Sequence, residues 1–360
     1  MSEYKKRIID NILRETLEYS GAVLIEGPKW CGKTSTASKI AKSILDMHDP
    51  DYAESNIQMA ITRPSELLKG DKPRLIDEWQ VAPVLWDAVR ISVDRENKEG
   101  LYILTGSSLP KDGKVMHSGA GRISRLTMRT MSLYESEDSN GEVSVKKLFE
   151  GGYDDISSTS KLTFDRLAYL VCRGGWPKSL FLSEKGSLAK TKDYIEAIVN
   201  KETFDYDGVK RDPKKIEPLL KSLARNIGTE ASIKTIIGDI STFGGSLSDE
   251  SARDYIDALK KIFVIEPLYA WNPKLRSKVA VRSTPRYHFT DQSIGTAALG
   301  INPNDLKKDI NTYGFYFESM CIKDLRVYAQ SNDGEVFYYR DSNGLECDAV
   351  IHLRNGKWGA

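Results

Sequence analysis

The chain has 360 residues, of which 40% are hydrophobic and 29% are charged. These fractions are typical of soluble globular proteins and exclude a disordered or a collagen-like chain. The 52 lysines and arginines almost balance the 51 aspartates and glutamates, so the net charge of +1 gives no overall attraction to nucleic acid or to an anionic membrane. Any site for a polyanion must therefore be local, and a chain of this length is expected to form more than one domain.

Targeting segments and cysteine spacing bear on the compartment of the protein. The longest apolar runs, such as AVLIEG and LYILTG, are much shorter than the roughly 20 residues that span a bilayer. The N-terminal residues MSEYKKRIIDNILRETLEY lack the apolar centre of a signal peptide, so the sequence predicts a cytoplasmic protein with no membrane partner. The four cysteines have no C-x-x-C spacing, which argues against a zinc site or a disulfide framework.

The first predicted elements are a strand, a glycine-bounded loop and a helix within residues 21–45. Residues 27–34, GPKWCGKT, match the phosphate-binding pattern G-x-x-x-x-G-K-[ST]. Residues 22–25 read as a short buried strand, and residues 34–45 place apolar side chains at helical spacing. Strand, loop and helix thus follow in the order that this motif requires for nucleotide binding.

In this arrangement the loop amides and the start of the helix would face the phosphates of a nucleotide. Lys33 would reach the β and γ oxygens and assist catalysis, and the Thr34 hydroxyl would bind Mg²⁺. We interpret Cys31 as a small residue that fits the loop, not as a site of oxidation. The pattern predicts ATP and Mg²⁺ as cofactors and leaves the choice between ATP and GTP open. The predicted nucleotide-binding residues are Gly27, Pro28, Lys29, Trp30, Cys31, Gly32, Lys33, Thr34 and Ser35.

The next motif, KPRLIDEWQ at residues 72–80, reads as a strand that ends in two acids. Asp77 would complete the Mg²⁺ shell, and Glu78 would polarise a water for in-line attack on the γ-phosphate. An acid pair at a strand end is common, but its combination with the phosphate loop indicates hydrolysis in addition to binding.

A third predicted strand, residues 101–104, ends in the sequence TGSS. Thr105, which we predict to be catalytic, or Ser107 could orient the attacking water or sense the γ-phosphate. Hydroxyls that only cap the turn after the strand are an equally good interpretation.

Residues 119–136, GAGRISRLTMRTMSLYES, carry Arg122, Arg125 and Arg129 without an intervening acid. Arg122 is our candidate for an arginine finger that reaches the γ-phosphate of a neighbouring copy and stabilises transition-state charge. Solvated arginines on a strand face are the alternative. A homo-oligomer is suggested by this residue.

The segments GPKWCGKT, LIDEWQ, LTGSS, GAGRI and MSLYE together resemble the prokaryotic AAA-type ATPases that carry a C-terminal domain of unknown function with a PD-(D/E)XK-nuclease-like fold. The resemblance continues through GGWP at residues 174–177, AWNPKLRSK and FTDQSIGTAALG, so it covers nearly the whole chain. It implies an α/β fold built on a P-loop AAA-type parallel-sheet ATPase core.

Four domains are predicted along the chain. The ATPase core would occupy residues 1–135, and a Ser-, Asp- and Gly-rich linker with a small helical lid would occupy residues 136–205. A winged-helix-like module would follow at residues 206–290. The resemblance places a nuclease-like α/β domain, partial in this chain, at residues 291–360.

The predicted wing is a local basic segment. Residues 267–290 contain five basic residues besides His288 and no acid, and Lys274, Arg276 and Lys278 are the candidate DNA contacts. A solvated hairpin, a hairpin packed on the ATPase core, or a module that binds only protein would show the same composition. DNA and a protein partner therefore both stay open.

The last 70 residues contain acids that could converge on a second metal ion. Glu318 lies on a predicted helix, and Glu346 and Asp348 are two apart, so they share one face of a predicted strand. Glu318 and Asp348 would bind a metal of the kind that hydrolyses phosphodiesters. The resemblance also calls for a Glu-x-Lys on the next strand, which the chain does not reach. We expect either a truncated sequence, which we favour, or lost nuclease chemistry, and we do not predict nuclease activity for this chain.

Three functions fit these motifs. The leading hypothesis is a Mg²⁺-dependent ATPase whose conformational cycle acts on DNA or on a partner protein. The second is a slow nucleotide-gated switch that exists to bind a partner. A small-molecule kinase ranks third, because Asp77-Glu78 followed by LTGSS indicates water positioning and not an acceptor pocket.

Overall fold

The computed structural model describes residues 4–107, 119–152, 156–202, 209, 211–243, 245–273, 284–341 and 343–360. The chain divides into two compact units, Met1–Arg129 with Lys261–Phe263 and Thr130–Lys260 with Val264–Ala360. The division after Arg129 lies a few residues before the predicted boundary at residue 135, because the Thr130 hydroxyl donates to Asp291 Oδ2 over 2.6 Å inside the second unit.

The first unit contains a five-stranded sheet with the strand order β2-β3-β4-β1-β5, and its neighbouring strands pair in parallel. The strands are β1 (Ala22–Glu26), β2 (Ser43–Asp46), β3 (Arg74–Asp77), β4 (Tyr102–Gly106) and β5 (Ile123–Thr127). Continuous burial of β1 and β4 is typical of a parallel sheet covered on both faces. The predicted α/β parallel-sheet core is confirmed.

Helices cover the two faces of this sheet. They are α1 (Ile9–Tyr19), α2 (Lys33–Ser38), α3 (Ala53–Thr62), α4 (Pro64–Leu67) and α5 (Val84–Glu96). Alternate residues of β1 enter two separate clusters: Ala22 and Leu24 pack with α5 residues, and Val23 and Ile25 pack with α1 residues. Because all strands are parallel, their carboxyl ends meet at one edge, where polar residues following different strands come together.

The helix predicted over residues 34–45 is wrong in its second half. Helix α2 ends at Ser38, and residues 43–46 form the strand β2. Ile44 pairs with Leu75 and Leu45 pairs with Ile76 of β3. This non-local pairing overrides the helical spacing of the apolar residues, because β2 completes the edge of the sheet.

The second unit is mainly helical in its first two thirds. Its α-helices within the described residues are α6 (Val145–Glu150), α7 (Phe164–Arg173), α8 (Glu184–Ala197), α9 (Pro213–Arg225), α10 (Ile233–Thr242), α11 (Asp249–Lys261), α12 (Gln292–Leu299), α13 (Pro303–Lys308) and α14 (Ile310–Gln330). Helix α7 ends where Gly174 takes a φ of 70° beside Asp291, which a side chain at that position would strike. The GGWP segment is thus a helix-ending turn, as predicted.

The strands of the second unit form two small sheets in the described ranges. They are β6 (Ile265–Leu268), β7 (Arg286–Phe289), β8 (Gly334–Arg340), β9 (Glu346–Leu353) and β10 (Trp358–Gly359). β6 and β7 pair antiparallel, and β8, β9 and β10 form an antiparallel sheet in the order β10-β9-β8. Helices α9 to α11 followed by β6 and β7 give the order helix, helix, helix, hairpin; the assignment of these elements to a winged-helix fold stays a prediction.

Among the residues that the structure describes, no helix combines the length and the apolarity that a transmembrane span needs.

Candidate nucleotide-binding site

The phosphate-binding loop connects β1 to α2 at the carboxyl edge of the sheet. Gly27 has a φ of 153°, and a Cβ built on it would lie 2.1 Å from the Met128 carbonyl oxygen, so only glycine lets the loop pack this closely against the chain after β5. Gly32 and Trp30 also have positive φ, of 104° and 67°. A non-glycine residue in the left-handed region indicates strain that the surrounding structure must hold in place.

Lys33 directs its side chain back into this loop. Its Nζ lies 2.9 Å from the carbonyl oxygens of both Gly27 and Pro28, and the residue is only 6% exposed. A buried ammonium needs hydrogen-bond partners, and the loop carbonyls supply them. The ammonium is therefore held inside the loop, where it can exchange carbonyl oxygens for phosphate oxygens.

Thr34 and Asp77 come from different elements and meet at the carboxyl edge of the sheet. Thr34 Oγ1 lies 2.9 Å from Asp77 Oδ1 and 3.1 Å from Oδ2. Asp77 is the last residue of β3 and is 7% exposed. A hydroxyl and a carboxylate are the oxygen ligands that Mg²⁺ prefers, so this pair fits the predicted metal.

Thr105 supports the Asp77 carboxylate. It lies in β4, the strand between β1 and β3, and its hydroxyl donates to Asp77 Oδ1. The Glu78 amide donates to the same hydroxyl oxygen over 3.4 Å. Thr105 is completely buried, so its position fits orientation of Asp77 better than orientation of a water. Ser107 is buried just after β4, and Ser108 lies outside the described residues.

Glu78 follows Asp77 in a strained conformation. Its φ of 53° and ψ of 47° place a non-glycine residue in the left-handed region. The Gln80 side-chain amide donates to Glu78 Oε2, which fixes the carboxylate beside the chain that leaves β3. The following Trp79 is fully buried against Trp86, with ring centroids 5.0 Å apart, and anchors this turn. The sequence did not predict a role for Gln80. Its only signal there is its position two residues after Glu78.

Arg7, a buried arginine that the sequence did not predict as a site residue, donates hydrogen bonds to the phosphate loop and to the chain after β5. Arg7 donates from Nη1 to the Cys31 carbonyl and from Nη2 to the Arg129 carbonyl, each over 2.9 Å. Arg7 is 4% exposed. It thus links the phosphate loop to the chain that follows β5 at the same edge of the sheet. In the sequence, Arg7 only ends the basic run YKKR, which carries no distinguishing signal.

Tyr4 and Asp10 connect the Arg7 segment to helix α2. The Tyr4 hydroxyl donates to Asp10 Oδ1 over 2.6 Å and lies 2.9 Å from Thr36 Oγ1, while the Arg7 amide donates to Asp10 Oδ2 over 2.9 Å. Burial, and then the Asp10 carboxylate, raise the pKa of Tyr4, so its phenol stays protonated. The segment before α1 therefore fixes both ends of the loop-to-helix junction.

The remaining loop residues differ in exposure. The Cys31 side chain is fully buried, with Sγ 3.5 Å from the Met128 carbonyl oxygen, so its thiol packs into the core as a small residue. Lys29 is half-buried, and Ser35 is exposed at the start of α2. The carboxylate of Glu26, at the end of β1, has a pKa raised by burial and partly lowered again by Arg125.

Arg122 lies at the opposite edge of the sheet from the loop. It directly precedes β5, whose first residue pairs with the first residue of β1, whereas the loop follows the last residue of β1. A five-residue strand is about 16 Å long, so Arg122 cannot reach the phosphate loop of its own chain. Its Nε donates to the exposed Asp94 over 2.8 Å. A role toward a neighbouring copy stays a prediction.

The predicted sites of the second unit receive less support. Lys274, Arg276 and Lys278 lie outside the described residues. Glu318 lies in α14 and Asp348 in β9, and Asp348 Oδ1 is 2.9 Å from Arg286 Nη1. Within the described ranges no three or more histidine, cysteine, aspartate or glutamate side chains are grouped so that they could hold a metal ion. With a guanidinium at this distance, the predicted second metal site does not fit a divalent ion.

Three families match successive parts of the chain. Residues 19–137 match an AAA domain family, and this match begins before β1 and extends past the end of β5 at Thr127. Residues 164–305 and 313–360 match two domains of unknown function, DUF8612 and DUF4143. The segment that carries the phosphate loop is therefore similar to an AAA domain, as the resemblance of the sequence implied. A nuclease-like fold for the last segment stays a prediction.

Two curated relatives align with nearly the whole chain, and neither has a named activity. Uncharacterized proteins of Mycobacterium bovis and Mycobacterium tuberculosis are each 23% identical over 355 residues, which cover 96% of this chain and 71% of each relative. A solved structure of the Walker-type ATPase PABY2304 of Pyrococcus abyssi is 13% identical, with a TM-score of 0.47. The alignment covers 81% of this chain and 94% of the ATPase chain. Drosophila ORC bound to DNA is 12% identical, covers 81% and 85%, and has a TM-score of 0.20.

Proposed function

We propose that this protein is a Mg²⁺-dependent ATPase whose nucleotide cycle drives a conformational change that acts on DNA or on a partner protein. The observation that carries the proposal is the contact between Thr34 and Asp77 beside the buried Lys33. An AAA domain match over residues 19–137 supports the same function. Nucleotide binding and hydrolysis would use residues from three parallel strands that end at one edge of the sheet.

Each residue of the site has a distinct part in this proposal. Lys33 releases the Gly27 and Pro28 carbonyls and binds the β- and γ-phosphate oxygens. Thr34 and Asp77 would hold Mg²⁺, and the ion would supply positive charge beside the phosphates. Glu78 accepts a proton from the attacking water, and Thr105 keeps Asp77 in place. The remaining loop residues cradle the phosphates through their amides.

A slow nucleotide-gated switch is the second candidate, and one contact favours it. Gln80 binds the Glu78 carboxylate, so the general base is engaged by a neutral side chain in the structure. If Gln80 keeps this contact in the nucleotide complex, hydrolysis is slow until a partner frees Glu78. The ATPase and the switch then differ only in how often this contact opens.

Two features support the proposed partners: the basic residues of the predicted wing and the position of Arg122. The basic residues Lys274, Arg276 and Lys278 suggest DNA phosphates as one partner, and their composition suits a protein surface equally. Arg122 suggests that a neighbouring copy completes the site, because it is too far from its own loop. Nuclease activity is not proposed for the chain as given.

ATP turnover tests the proposed function. Turnover of the parent would be compared with Lys33→Ala and Glu78→Gln, with and without duplex, junction and single-stranded DNA, over a range of protein concentrations. We expect Mg²⁺-dependent turnover that Lys33→Ala abolishes, while Glu78→Gln retains bound ATP. Specific activity that rises with protein concentration and is lost in Arg122→Ala would support a finger from a neighbouring copy. A parent that binds ATP but shows no turnover under any of these conditions would favour the switch.

A further inference from the structure

The second unit contains a buried arginine enclosed by carboxylates. Arg286, the first residue of β7, is 6% exposed. Its Nη1 donates to Asp348 Oδ1 over 2.9 Å, and its Nη2 donates to Glu346 Oε2 over 3.4 Å. The same Nη2 is 3.8 Å from Glu230 Oε1, so three carboxylates face one guanidinium.

The guanidinium is the fixed member of this cluster. The side chains of Glu346 and Asp348 are 52% and 57% exposed, whereas that of Arg286 is 7% exposed. Its Cζ lies 4.6 Å from the ring centroid of Tyr338, a residue that is completely buried. An arginine held by a buried ring and a paired strand cannot swing into solvent as a surface lysine can.

The charge of Arg286 is also permanent. A guanidinium does not lose its proton in a protein, and its planar donors match carboxylate oxygens. A divalent cation on Asp348 would lie next to this positive charge, where repulsion in a partly buried site is strong. Metal binding and the Arg286 contacts therefore compete for the same carboxylate oxygens.

Glu318 completes the surroundings of the cluster. Its Oε1 is buried and, within the described part of the chain, has no hydrogen-bond partner. Burial, and then the Asp348 carboxylate, raise the pKa of Glu318 to about 7, while Arg286 lowers it. The helix residue that the sequence assigned to a metal is thus a partly desolvated carboxyl group near, but not bonded to, the guanidinium.

We propose that Arg286 is the resident cation of the carboxylates Glu230, Glu346 and Asp348, and that it excludes a divalent metal ion from them. The predicted metal site at Glu318 and Asp348 is then part of a structural ion-pair cluster in which Arg286 joins β7 to β9. This inference is independent of the nucleotide site of the first unit.

Titration of the full chain with Mn²⁺ alone, followed by the EPR signal of free Mn²⁺, tests this inference. All samples are nucleotide-free and carry Asp77→Asn, which removes the proposed metal ligand of the first unit. We expect that adding Asp348→Asn does not change Mn²⁺ affinity, because Asp348 is already neutralised. Replacing Arg286 by Met should create a Mn²⁺ site that binds at least about 10-fold tighter than any in the parent, since the carboxylates lose their cation.

A matched variant separates this effect from a general loss of positive charge. Arg340 is exposed and donates to Glu230 over 3.1 Å, so Arg340→Met removes a charge at the margin of the same cluster and should create no Mn²⁺ site. The site gained in Arg286→Met should disappear when Asp348→Asn is added. A parent whose Mn²⁺ affinity falls on Asp348→Asn overturns the proposal, as does a folded Arg286→Met that gains no site. If Arg286→Met does not fold, Arg286→Gln, which keeps a hydrogen-bond donor and removes the charge, tests for the same gain of a Mn²⁺ site.

Discussion

Thr34 Oγ1 lies 2.9 Å from Asp77 Oδ1, although the two residues are 43 positions apart in the chain. The contact joins the start of helix α2 to the end of β3, and β4 runs between β1 and β3 in the sheet. Thr105 at the end of β4 donates to the same carboxylate. Two hydroxyls from neighbouring elements therefore converge on one buried acid: Thr34 and Asp77 are the proposed metal ligands, and Thr105 holds the Asp77 carboxylate in position.

Thr105 is expected to act through Asp77. Thr105→Val keeps the shape of the side chain and removes the hydroxyl, so Asp77 loses one hydrogen bond and its orientation. Loss of such an outer hydrogen bond typically weakens metal affinity or activity by about 10- to 100-fold. We expect the Mg²⁺ concentration for half-maximal turnover to rise by about 10-fold, with little change in nucleotide binding without Mg²⁺. Thr105→Ser should restore the parent behaviour; a Val variant with the parent's Mg²⁺ dependence contradicts this role.

Arg7 is expected to hold the phosphate loop in shape. Arg7→Met leaves the Cys31 and Arg129 carbonyls without their donor and should lower the free energy of unfolding by about 2 to 4 kcal/mol, measured by urea denaturation. ATP affinity should fall as well, because the loop loses its support.

Arg7→Lys provides the control for charge. A lysine cannot donate to both carbonyls in the same geometry, so it should restore only part of the stability and of the ATP affinity. Unchanged ATP affinity in both variants would show that the Arg7 hydrogen bonds to the Cys31 and Arg129 carbonyls do not affect nucleotide binding.

Gln80 is expected to restrain Glu78. Gln80→Ala removes the donor to the Glu78 carboxylate and leaves Asp77 and Lys33 in place. If the contact limits hydrolysis, the maximal turnover rate should rise several-fold while the KM for ATP changes little. A lower rate would instead mean that Gln80 orients Glu78 for catalysis. Glu78→Gln combined with Gln80→Ala serves as the inactive reference.

His288 is expected to make the second unit sensitive to acid. Burial, and then the charges of Arg326 and Arg286, lower its pKa to about 3, so the imidazole is neutral in the folded chain. The unfolded chain binds this proton below about pH 6.5, so the stability contributed by neutral His288 is lost as the pH falls from about 6.5 towards 3.

The difference in unfolding free energy between the parent and His288→Gln isolates this effect, because other titrations cancel. The advantage of the parent should shrink by up to about 1.4 kcal/mol for each pH unit below about 6.5. An NMR titration of the His288 ring should show no protonation above about pH 4. A pH-independent difference between the two proteins would contradict a buried neutral imidazole.

Local sequence predicted the parts of the fold that depend on local chemistry. The order of strand, loop and helix around Lys33 and the strand ending at Asp77 were both found, because motif and apolar run lie within a few residues of each other. The helix over residues 34–45 was wrong after Ser38, because pairing of Ile44 and Leu45 with β3 decides the structure there. Periodicity alone carries no information about such a partner.

Long-range contacts explain what the sequence could not show. Arg7 meets Cys31 across 24 positions, and Arg286 meets Asp348 across 62. Arg7 belongs to no motif, and Arg286 is only one of the five basic residues of the predicted wing, so only folding brings each arginine to its acceptors. Glu318 and Asp348 suggested a metal site because their neighbours in space were unknown; a buried guanidinium beside Asp348 changes the electrostatics of the whole cluster.

We propose above all that Lys33, Thr34 and Asp77 together bind a Mg²⁺-bearing nucleoside triphosphate. Calorimetric titration of ATP into the parent, Lys33→Ala and Asp77→Asn, with and without Mg²⁺, tests it most directly. We predict that Mg²⁺ strengthens ATP binding to the parent, that Lys33→Ala weakens binding at least about 10-fold, and that Asp77→Asn removes the effect of Mg²⁺. A parent that binds no ATP, or an Asp77→Asn variant that responds to Mg²⁺ as the parent does, would show that these residues do not form a nucleotide-binding site.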